Sequence, residues 1–275
     1  FFGRLLYGIK EKGGIHMMNY VKSEMYRISH DKGIYFFTFI LAFLSCLLNA
    51  VLGCMGIIDG ASFPYDTTSF SYSNLVANPM MFCVMGTVVG FLLYDGNRKN
   101  GNLKNTIAFG ISRTQIFIGE CIVAAVTASV ILIVELVFYI GSAMIFLEHI
   151  GPVSLNDLLT EIPAVFFIAI AALISGIVCM GIFEKGSTGI IIWFLIWFAI
   201  PQIFYYLGFR FEIFHRIALW MPANFFGIGE MQVDLSHSFT AWGTAKGMAK
   251  CMISGISGTM VFLLLGIRLW RKKEV

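Results

Sequence analysis

The chain has 275 residues, of which 58% are hydrophobic and only 13% are charged. A soluble domain carries about 25% charged residues. The composition therefore excludes a water-soluble globular protein and predicts a chain embedded in a lipid bilayer. The formal net charge is +3, so the distribution of the charges along the chain is more informative than their sum.

Residues 1–16 lack the continuous apolar core and the small-residue cleavage site of a signal peptide. Met17 and Met18 offer a start, and Lys12-Gly13-Gly14 can be encoded by a purine-rich ribosome-binding sequence. We therefore expect residues 1–16 to be an upstream extension that is not part of the natural protein, and the source to be a bacterium.

Residues 17–32 follow a helical pattern, because Val21, Met25 and Ile28 recur at i, i+4 and i+7. The opposite face of this predicted helix carries the charged residues Lys22, Glu24, Arg27 and Asp31. The pattern predicts an amphipathic helix that lies on the inner membrane surface. A cytoplasmic extension of the first span is the alternative.

Six later stretches are apolar and long enough to cross a bilayer as helices, which takes about 20 residues. They are residues 33–58, 75–94, 116–147, 161–183, 188–209 and 247–270. We therefore predict an all-α integral membrane protein with six transmembrane helices. Pro79 and Pro163 lie near the starts of two spans, whereas Pro201 lies inside the fifth and should kink it.

The basic residues predict the orientation of these spans. With the N-terminus inside, fifteen of the 19 Lys and Arg residues fall on the inner side, and only Arg210, Arg216, Lys246 and Lys250 fall outside. Cytoplasmic loops carry the excess of Lys and Arg in membrane proteins. Both termini are therefore expected in the cytoplasm.

The connection Asp95–Phe117 is a short polar segment between two apolar stretches. It contains four basic residues and a short candidate helix, Leu103–Phe109, which Gly110 should end. A helix at this place would lie on the cytoplasmic face of the membrane, where a soluble partner can reach it.

Two carboxylates fall inside the third predicted span. Glu120 is near its cytoplasmic end and is expected to reach water, whereas Glu135 is near the middle. A charge at that depth costs about 2.5–3.5 kcal/mol on insertion scales. Glu135 could line a cavity, bind a cationic substrate, or be protonated and hydrogen-bonded to Asn49 or a threonine. Asn49, Glu135 and Pro201 are the candidate residues of a substrate pathway.

The last outer segment contains an apolar run, residues 217–228, that Pro222 interrupts. Twelve residues cannot cross a bilayer, but they can re-enter it or cap a cavity. A loop that simply packs against the spans is the alternative. Trp220, Pro222, Phe225 and Phe226 are the candidate residues of an outer gate.

Several kinds of site have no motif in this sequence. There is no G-x-x-x-x-G-K-[ST] loop for nucleotide phosphates and no H-E-x-x-H. The six cysteines form no C-x-x-C pair, and the five histidines are scattered outside the spans, which argues against a metal site. Arg268–Lys273 is typical of a membrane anchor on the inner face, so we expect no nucleic-acid partner.

Two segments, Met18–Lys32 and Gly101–Arg113, resemble parts of a known family. The first is similar to an entry helix with a Ser-Glu pair and a charged end, and the second has a G-x-L-K-N … G-x-S-R pattern. Both resemble the membrane subunit of type-2 ATP-binding-cassette (ABC) exporters, bacterial permeases that include peptide-antibiotic immunity and bacitracin-resistance transporters. The run around Pro222 resembles the re-entrant outer helices of that family.

The resemblance implies a coupling helix that seats in a groove of a separate ATPase subunit. The residues expected at that contact are Gly101, Leu103, Lys104, Asn105, Phe109, Gly110 and Arg113. It implies a pair of membrane subunits, either two copies of this chain or this chain with a homologous permease, in the bacterial plasma membrane. ATP and magnesium would bind to the ATPase, and this chain would bind no cofactor. The family often has a Lys shortly after the Arg; here Glu120 stands nearby.

By the same analogy, the complex would export an amphipathic or hydrophobic substrate such as an antimicrobial peptide. Export of a lipid or a small hydrophobic drug is an alternative, as is a sensor or scaffold subunit that transports nothing. An intramembrane enzyme is disfavoured because the catalytic groups are missing from the spans.

Overall fold

The computed structural model describes residues 17–77, 79–99, 106–183, 185–225, 232–233, 238–239 and 245–272. These residues form nine main helices and one two-stranded antiparallel ribbon, β1 (Gln232–Val233) and β2 (Ser238–Phe239). The helices are α1 (residues 17–28), α2 (Lys32–Asp59), α3 (Thr68–Ala77), α4 (Pro79–Lys99), α5 (Arg113–Phe146), α6 (Leu155–Ile182), α7 (Gly186–Gly208), α8 (Glu212–Ala218) and α9 (Ala245–Lys272).

Five of these helices, α2, α5, α6, α7 and α9, are long and apolar enough to cross a membrane. The helices α3 and α4 pass the same test only as a pair, and they are bent by 65° relative to each other. The protein is therefore a helical, multi-pass membrane protein.

The bend between α3 and α4 changes the predicted span 75–94. Residues 75–77 belong to α3, and α4 begins at Pro79. A proline has no amide hydrogen to donate and disfavours helical conformation in the residue before it. The predicted span 75–94 is therefore divided between two helices, the second of which begins at Pro79.

Two serines set the starts of the long helices. The Ser112 side chain accepts from the Gln115 amide and the Gln115 side chain accepts from the Ser112 amide, so α5 opens with a capping box. Ser154 and Asp157 form the same arrangement at the start of α6. The helix α6 therefore begins six residues before the predicted span 161–183, and Pro163 lies inside it.

The helix α7 contains a π-helical turn, Leu195–Ala199, directly before its second half. The amide of Ile200 donates to the carbonyl of Leu195 there. Pro201 follows at the start of the second half. Proline and π-turns are the usual causes of helix kinks. Both occur at the place in α7 where the sequence predicts a kink.

The helix α6 is the centre of the bundle. About 72% of its most apolar stretch is buried, compared with 28% or less in the other four long helices. The helices α4 and α9 pack along α6, α2 packs along α5, and α8 packs against α7. Trp193 and Trp197 of α7 both donate their indole hydrogens to Ser175 of α6, at 3.1 and 2.8 Å.

Two apolar clusters mark the two ends of the bundle. The basal cluster is centred on Tyr20, Tyr94, Ile116, Phe117 and Trp270. The cluster at the opposite end contains Tyr72, Val76, Tyr139, Leu147 and Leu158. The basal cluster joins α1 to the end of α9, so both ends of the described chain lie at the same end of the bundle.

Candidate functional site

The segment before α5 ends a helical turn in the way that its glycine predicts. Residues 106–108 are helical, and Gly110 follows with a φ of +83°. The amide of Gly110 donates to the Ile107 carbonyl at 2.9 Å, and the amide of Ile111 donates to the Thr106 carbonyl at 3.4 Å. These two bonds form a Schellman motif, which needs a left-handed residue at the glycine position. Gly101, Leu103, Lys104 and Asn105 lie outside the described residues.

This segment is buried on one side and exposed on the other. Ile107 and Ile111 pack against the basal cluster. Phe109, which lies between them in the sequence, is 82% exposed. The arrangement holds the segment firmly against the bundle while it presents an aromatic ring outward. We call residues 106–113 the basal turn.

The basal turn leads directly into two long helices. Ser112 caps α5, and Arg113 is the first residue of that helix. Near the end of α9, Arg271 donates from Nε to the Thr114 hydroxyl oxygen at 3.3 Å. A displacement of the basal turn would therefore reach α5 through the chain and α9 through this hydrogen bond.

The helix α1 is fastened to the same end of α5. The Tyr20 hydroxyl donates to Glu120 Oε1 at 2.7 Å, and both residues are buried. Gly119 leaves the space that the Tyr20 ring occupies, because a β-carbon there would approach the ring to 2.8 Å. The expectation that Glu120 reaches water is wrong, since the side chain is only 2% exposed.

The buried environment keeps Tyr20 in its donor form. Burial raises the pKa of Tyr20 well above its usual value, and the neighbouring Glu120 carboxylate raises it further. Both effects disfavour a second negative charge at this place. The Tyr20 hydroxyl therefore remains protonated, and able to donate, throughout the physiological pH range.

Glu24 also departs from its predicted position. The sequence pattern predicts Glu24 on the exposed charged face of α1. The side chain is instead buried and shares the inward face with Tyr20 and Ile28, at i, i+4 and i+8. The Glu24 carboxylate forms an ion pair with Arg27 at 2.8 Å. An ionic partner on the same helix allows this carboxylate to be buried.

Glu135 lines a cavity of about 140 Å³ inside the bundle. The cavity lies between α2, α3, α4, α5 and α6, and Phe37, Leu41, Phe82 and Leu173 are among its walls. The Ser45 hydroxyl donates to Glu135 Oε2 at 3.4 Å. Glu135 Oε1 is buried and has no hydrogen-bond partner among the described residues.

Asn49 is not the partner of Glu135. Its amide nitrogen donates to the Tyr139 carbonyl at 3.0 Å and to the Ser142 hydroxyl at 2.8 Å, and its oxygen accepts from the Ser71 hydroxyl at 3.0 Å. The Tyr139 hydroxyl in turn donates to the Ser71 carbonyl at 2.8 Å. Asn49 therefore fastens α2 to α3 and α5, and it does not line the cavity.

Pro201 belongs to a different part of the protein. It is buried in α7, and its carbonyl accepts from the side-chain amide of Asn224 at 2.9 Å. Asn224 is 2% exposed and donates also to the Ala218 carbonyl at 3.2 Å. The three residues of the predicted pathway are thus not brought together, and only Glu135 lines the cavity.

The predicted gate residues lie on both sides of Asn224 in the sequence. Pro222 begins a 3₁₀ turn, Pro222–Asn224, after α8. Trp220 is half exposed, and its carbonyl accepts from Ser254 of α9 at 3.3 Å. Phe225 is buried, with the Lys250 ammonium 4.8 Å from its ring centroid. Phe226 lies outside the described residues.

The sequence alone did not predict that Ser45, Tyr20 and Asn224 are functional or anchoring residues. Ser45 lies four residues before Asn49 on α2, so a polar pair at helical spacing within an apolar run was a usable signal. Asn224 is a similarly isolated polar residue in an apolar segment. Tyr20 carried no such signal, because its partner is 100 residues away.

Within the described ranges, no group of three or more His, Cys, Asp or Glu side chains could hold a metal ion. No protein-family model matches the chain. No curated protein is significantly similar to it.

Proposed function

We propose that this chain is the membrane subunit of an ATP-driven bacterial exporter of the type-2 ABC class. The observation that carries the proposal is the basal turn, residues 106–113, which is fixed to the bundle on one side and exposes Phe109 on the other. Its sequence also carries the G-x-S-R part of the pattern on which the resemblance rests.

The physical argument concerns Phe109. Burying a phenylalanine side chain stabilises a protein by about 1.5–3 kcal/mol, yet this ring is 82% exposed beside a well-packed cluster. The four basic residues of Asp95–Phe117 support a position of the ring on the aqueous cytoplasmic side. An aromatic residue exposed to water in such a place is suited to a groove on a partner protein.

Six spans and cytoplasmic termini are part of the proposal. Five helices qualify as spans individually, and the bent pair of α3 and α4 would be the sixth if it crosses the membrane as one broken span. The basal cluster contains residues of α1 and of the end of α9, which agrees with an even number of crossings. The excess of Lys and Arg on the side of Arg113 supports a cytoplasmic position for that end.

The ATPase would be a separate subunit, because this chain has no phosphate-binding loop of its own. In the proposed complex, two membrane subunits meet two ATPase subunits, which bind ATP and magnesium. Closure of the ATPases would move the basal turns. Since the basal turn opens α5, and Thr114 of α5 accepts a hydrogen bond from Arg271 of α9, both helices would follow it.

The transported compound would be amphipathic or hydrophobic, such as an antimicrobial peptide. This part of the proposal draws on the apolar walls of the cavity beside Glu135, which suit a compound that partitions into lipid. A lipid or a small drug would meet the same walls.

The test is co-expression with the ABC ATPase encoded in the neighbouring reading frame. Purification of this chain is expected to retain that ATPase, and vesicles containing the complex are expected to move the compound only with ATP. Retention without ATP-dependent movement would favour a sensor or scaffold subunit. If the neighbouring frames encode no such ATPase and none assembles with the chain, the proposal is wrong.

A further inference from the structure

We infer that the cavity beside Glu135 binds the ammonium group of a cationic amphiphile, that is, a primary amine on a short apolar or aromatic body. The inference deepens the proposed function and rests on it, because it names the chemical class of the exported compound. The binding step itself needs only this chain.

The cavity walls provide one charge in an otherwise apolar space. Glu135 is the single acidic or basic side chain among the lining residues that the structure describes, and the remaining walls are aliphatic, aromatic, glycine, serine or methionine. Within the part of the chain that the structure describes, no Lys, Arg or His lines the cavity to act as a counter-ion. A carboxylate in apolar surroundings attracts an organic cation far more strongly than it would in water.

The two oxygens of Glu135 differ in a way that points to a ligand. Oε2 accepts a long hydrogen bond of 3.4 Å from Ser45, whereas Oε1 is buried and has no partner among the described residues. A buried polar atom without a partner costs about 1–3 kcal/mol. A ligand ammonium group would donate to Oε1 and remove that cost.

Glu120 shows how the fold supplies a hydrogen-bond donor to a carboxylate on the same helix whose role is to join two helices. It lies on α5 as Glu135 does, and it is buried with a hydrogen bond of 2.7 Å from Tyr20. The fold thus supplies a donor where the carboxylate only joins helices. Among the described residues it supplies no comparable donor to Glu135 Oε1, although Glu135 lines a cavity.

The volume limits what can enter. At about 140 Å³, the cavity is close in size to an apolar cavity of roughly 150 Å³ that binds benzene. It can therefore hold one aromatic ring or a chain of a few carbons together with the amine, and not a whole peptide. Met81 and Met85 line it, and Met81 is half exposed, so a flexible side chain can adapt to the part of the ligand outside.

Two sources share this chemistry, a lysine side chain of a peptide and the amine of a small drug. Both present an ammonium group at the end of an apolar stem. An anionic compound is repelled by Glu135, and a neutral compound without a donor leaves Oε1 unsatisfied, so both should bind more weakly than an amine.

The experiment measures binding to the purified chain in lipid nanodiscs without any ATPase. The probes are 4-fluorobenzylamine and its neutral analogue 4-fluorotoluene, followed by ¹⁹F NMR, with empty nanodiscs as the reference for partition into lipid. We expect the amine to bind at least about tenfold more tightly than the neutral analogue. Glu135→Gln should abolish that difference, whereas binding of 4-fluorotoluene should be unchanged.

Two further variants serve as controls. Glu212→Gln removes an exposed carboxylate on α8 and should leave amine binding as in the wild type. Ala128→Leu adds volume to the cavity wall on α5 and should weaken both probes. Equal affinity of the wild type for the two probes overturns the inference whether or not Glu135→Gln folds, and so does unchanged amine binding in a folded Glu135→Gln protein.

A second pair of probes separates the two sources. A short apolar peptide with one lysine competes with 4-fluorobenzylamine if peptides are carried, and the same peptide with its lysine acetylated should not. Competition by small amines alone indicates a drug-like ligand. If the wild type assembles with the ATPase but does not bind the amine, this inference is refuted and the proposed function stands. If the wild type binds the amine but assembles with no ATPase, the proposed function is refuted and the binding site stands.

Discussion

The hydroxyl of Tyr20 lies 2.7 Å from Oε1 of Glu120 and donates a hydrogen bond to it across 100 residues of sequence. This bond fixes the first helix of the described chain to the base of the longest one. The bond lies beside the basal turn, because Tyr20 and Ile107 contact the same cluster. The position of α1 and that of the proposed docking segment are therefore physically linked.

Tyr20→Phe tests the strength of this link. The substitution keeps the ring against Gly119 but removes the donor, so Glu120 is left buried without that hydrogen bond. We expect a loss of about 1–3 kcal/mol in the free energy of unfolding, measured as a lower midpoint of thermal unfolding in detergent. Tyr26→Phe is the matched control, because Tyr26 is 69% exposed on the same helix. Equal midpoints for the two variants would contradict a role for the hydroxyl.

The pH dependence of stability follows from the same residue. The folded state raises the pKa of Tyr20 above the unfolded value of about 10. The stabilisation is therefore fully present below pH 10 and is lost as the pH rises above it. The difference in unfolding midpoint between wild type and Tyr20→Phe should shrink from pH 9 towards pH 11. A difference that stays constant over this range would show that the hydroxyl proton is not involved.

Part of this arrangement could be predicted from the sequence. The apolar runs predicted the long helices, because their length and composition are local properties. Gly110 predicted the end of the helical turn, because a left-handed residue is needed there. The early start of α6 was missed, although Ser154 and Asp157 spell a capping box in the sequence.

The burial of the carboxylates could not be predicted in the same way. The sequence predicts that Glu24 lies on a charged face and that Glu120 reaches water. Both predictions are wrong because they consider only residues that are near in the sequence. Their actual environments depend on how α1 packs against α5. The cavity beside Glu135 is likewise formed by residues of five helices. The hydrophobic periodicity of one helix carries no information about a space between several.

Phe109→Ala tests the proposed docking surface. Because the ring is 82% exposed, its removal should leave the unfolding midpoint within the error of the measurement. Assembly with the ATPase should weaken by about 1–3 kcal/mol, as truncation of an aromatic anchor does at interfaces. Phe209→Ala is the matched control, since Phe209 is 73% exposed at the end of α7. Equal retention of the ATPase by both variants would count against the surface.

Arg113→Glu tests the charge at the start of α5. A glutamate is more favourable than an arginine at a helix N-terminus, by about 0.3–1 kcal/mol for each charge, so α5 should remain helical. We expect assembly with the ATPase, or transport-coupled ATP hydrolysis, to fall by about tenfold. Membrane insertion should be unchanged. Arg216→Gln on α8 provides a control away from the basal turn, and normal coupling in Arg113→Glu would sink the assignment.

Asn49→Ala tests the other end of the bundle. The Asn49 amide makes three hydrogen bonds that join α2, α3 and α5. Hydrogen bonds between membrane helices average about 0.6 kcal/mol each, so the variant should lose roughly 2 kcal/mol of unfolding free energy. Amide exchange in α3 should accelerate more than exchange in α6, because Ser71 loses its partner while the centre of the bundle is untouched. Asn156→Ala, at an exposed position near the start of α6, should change neither quantity. Uniform acceleration across the bundle would contradict a local fastening role for Asn49.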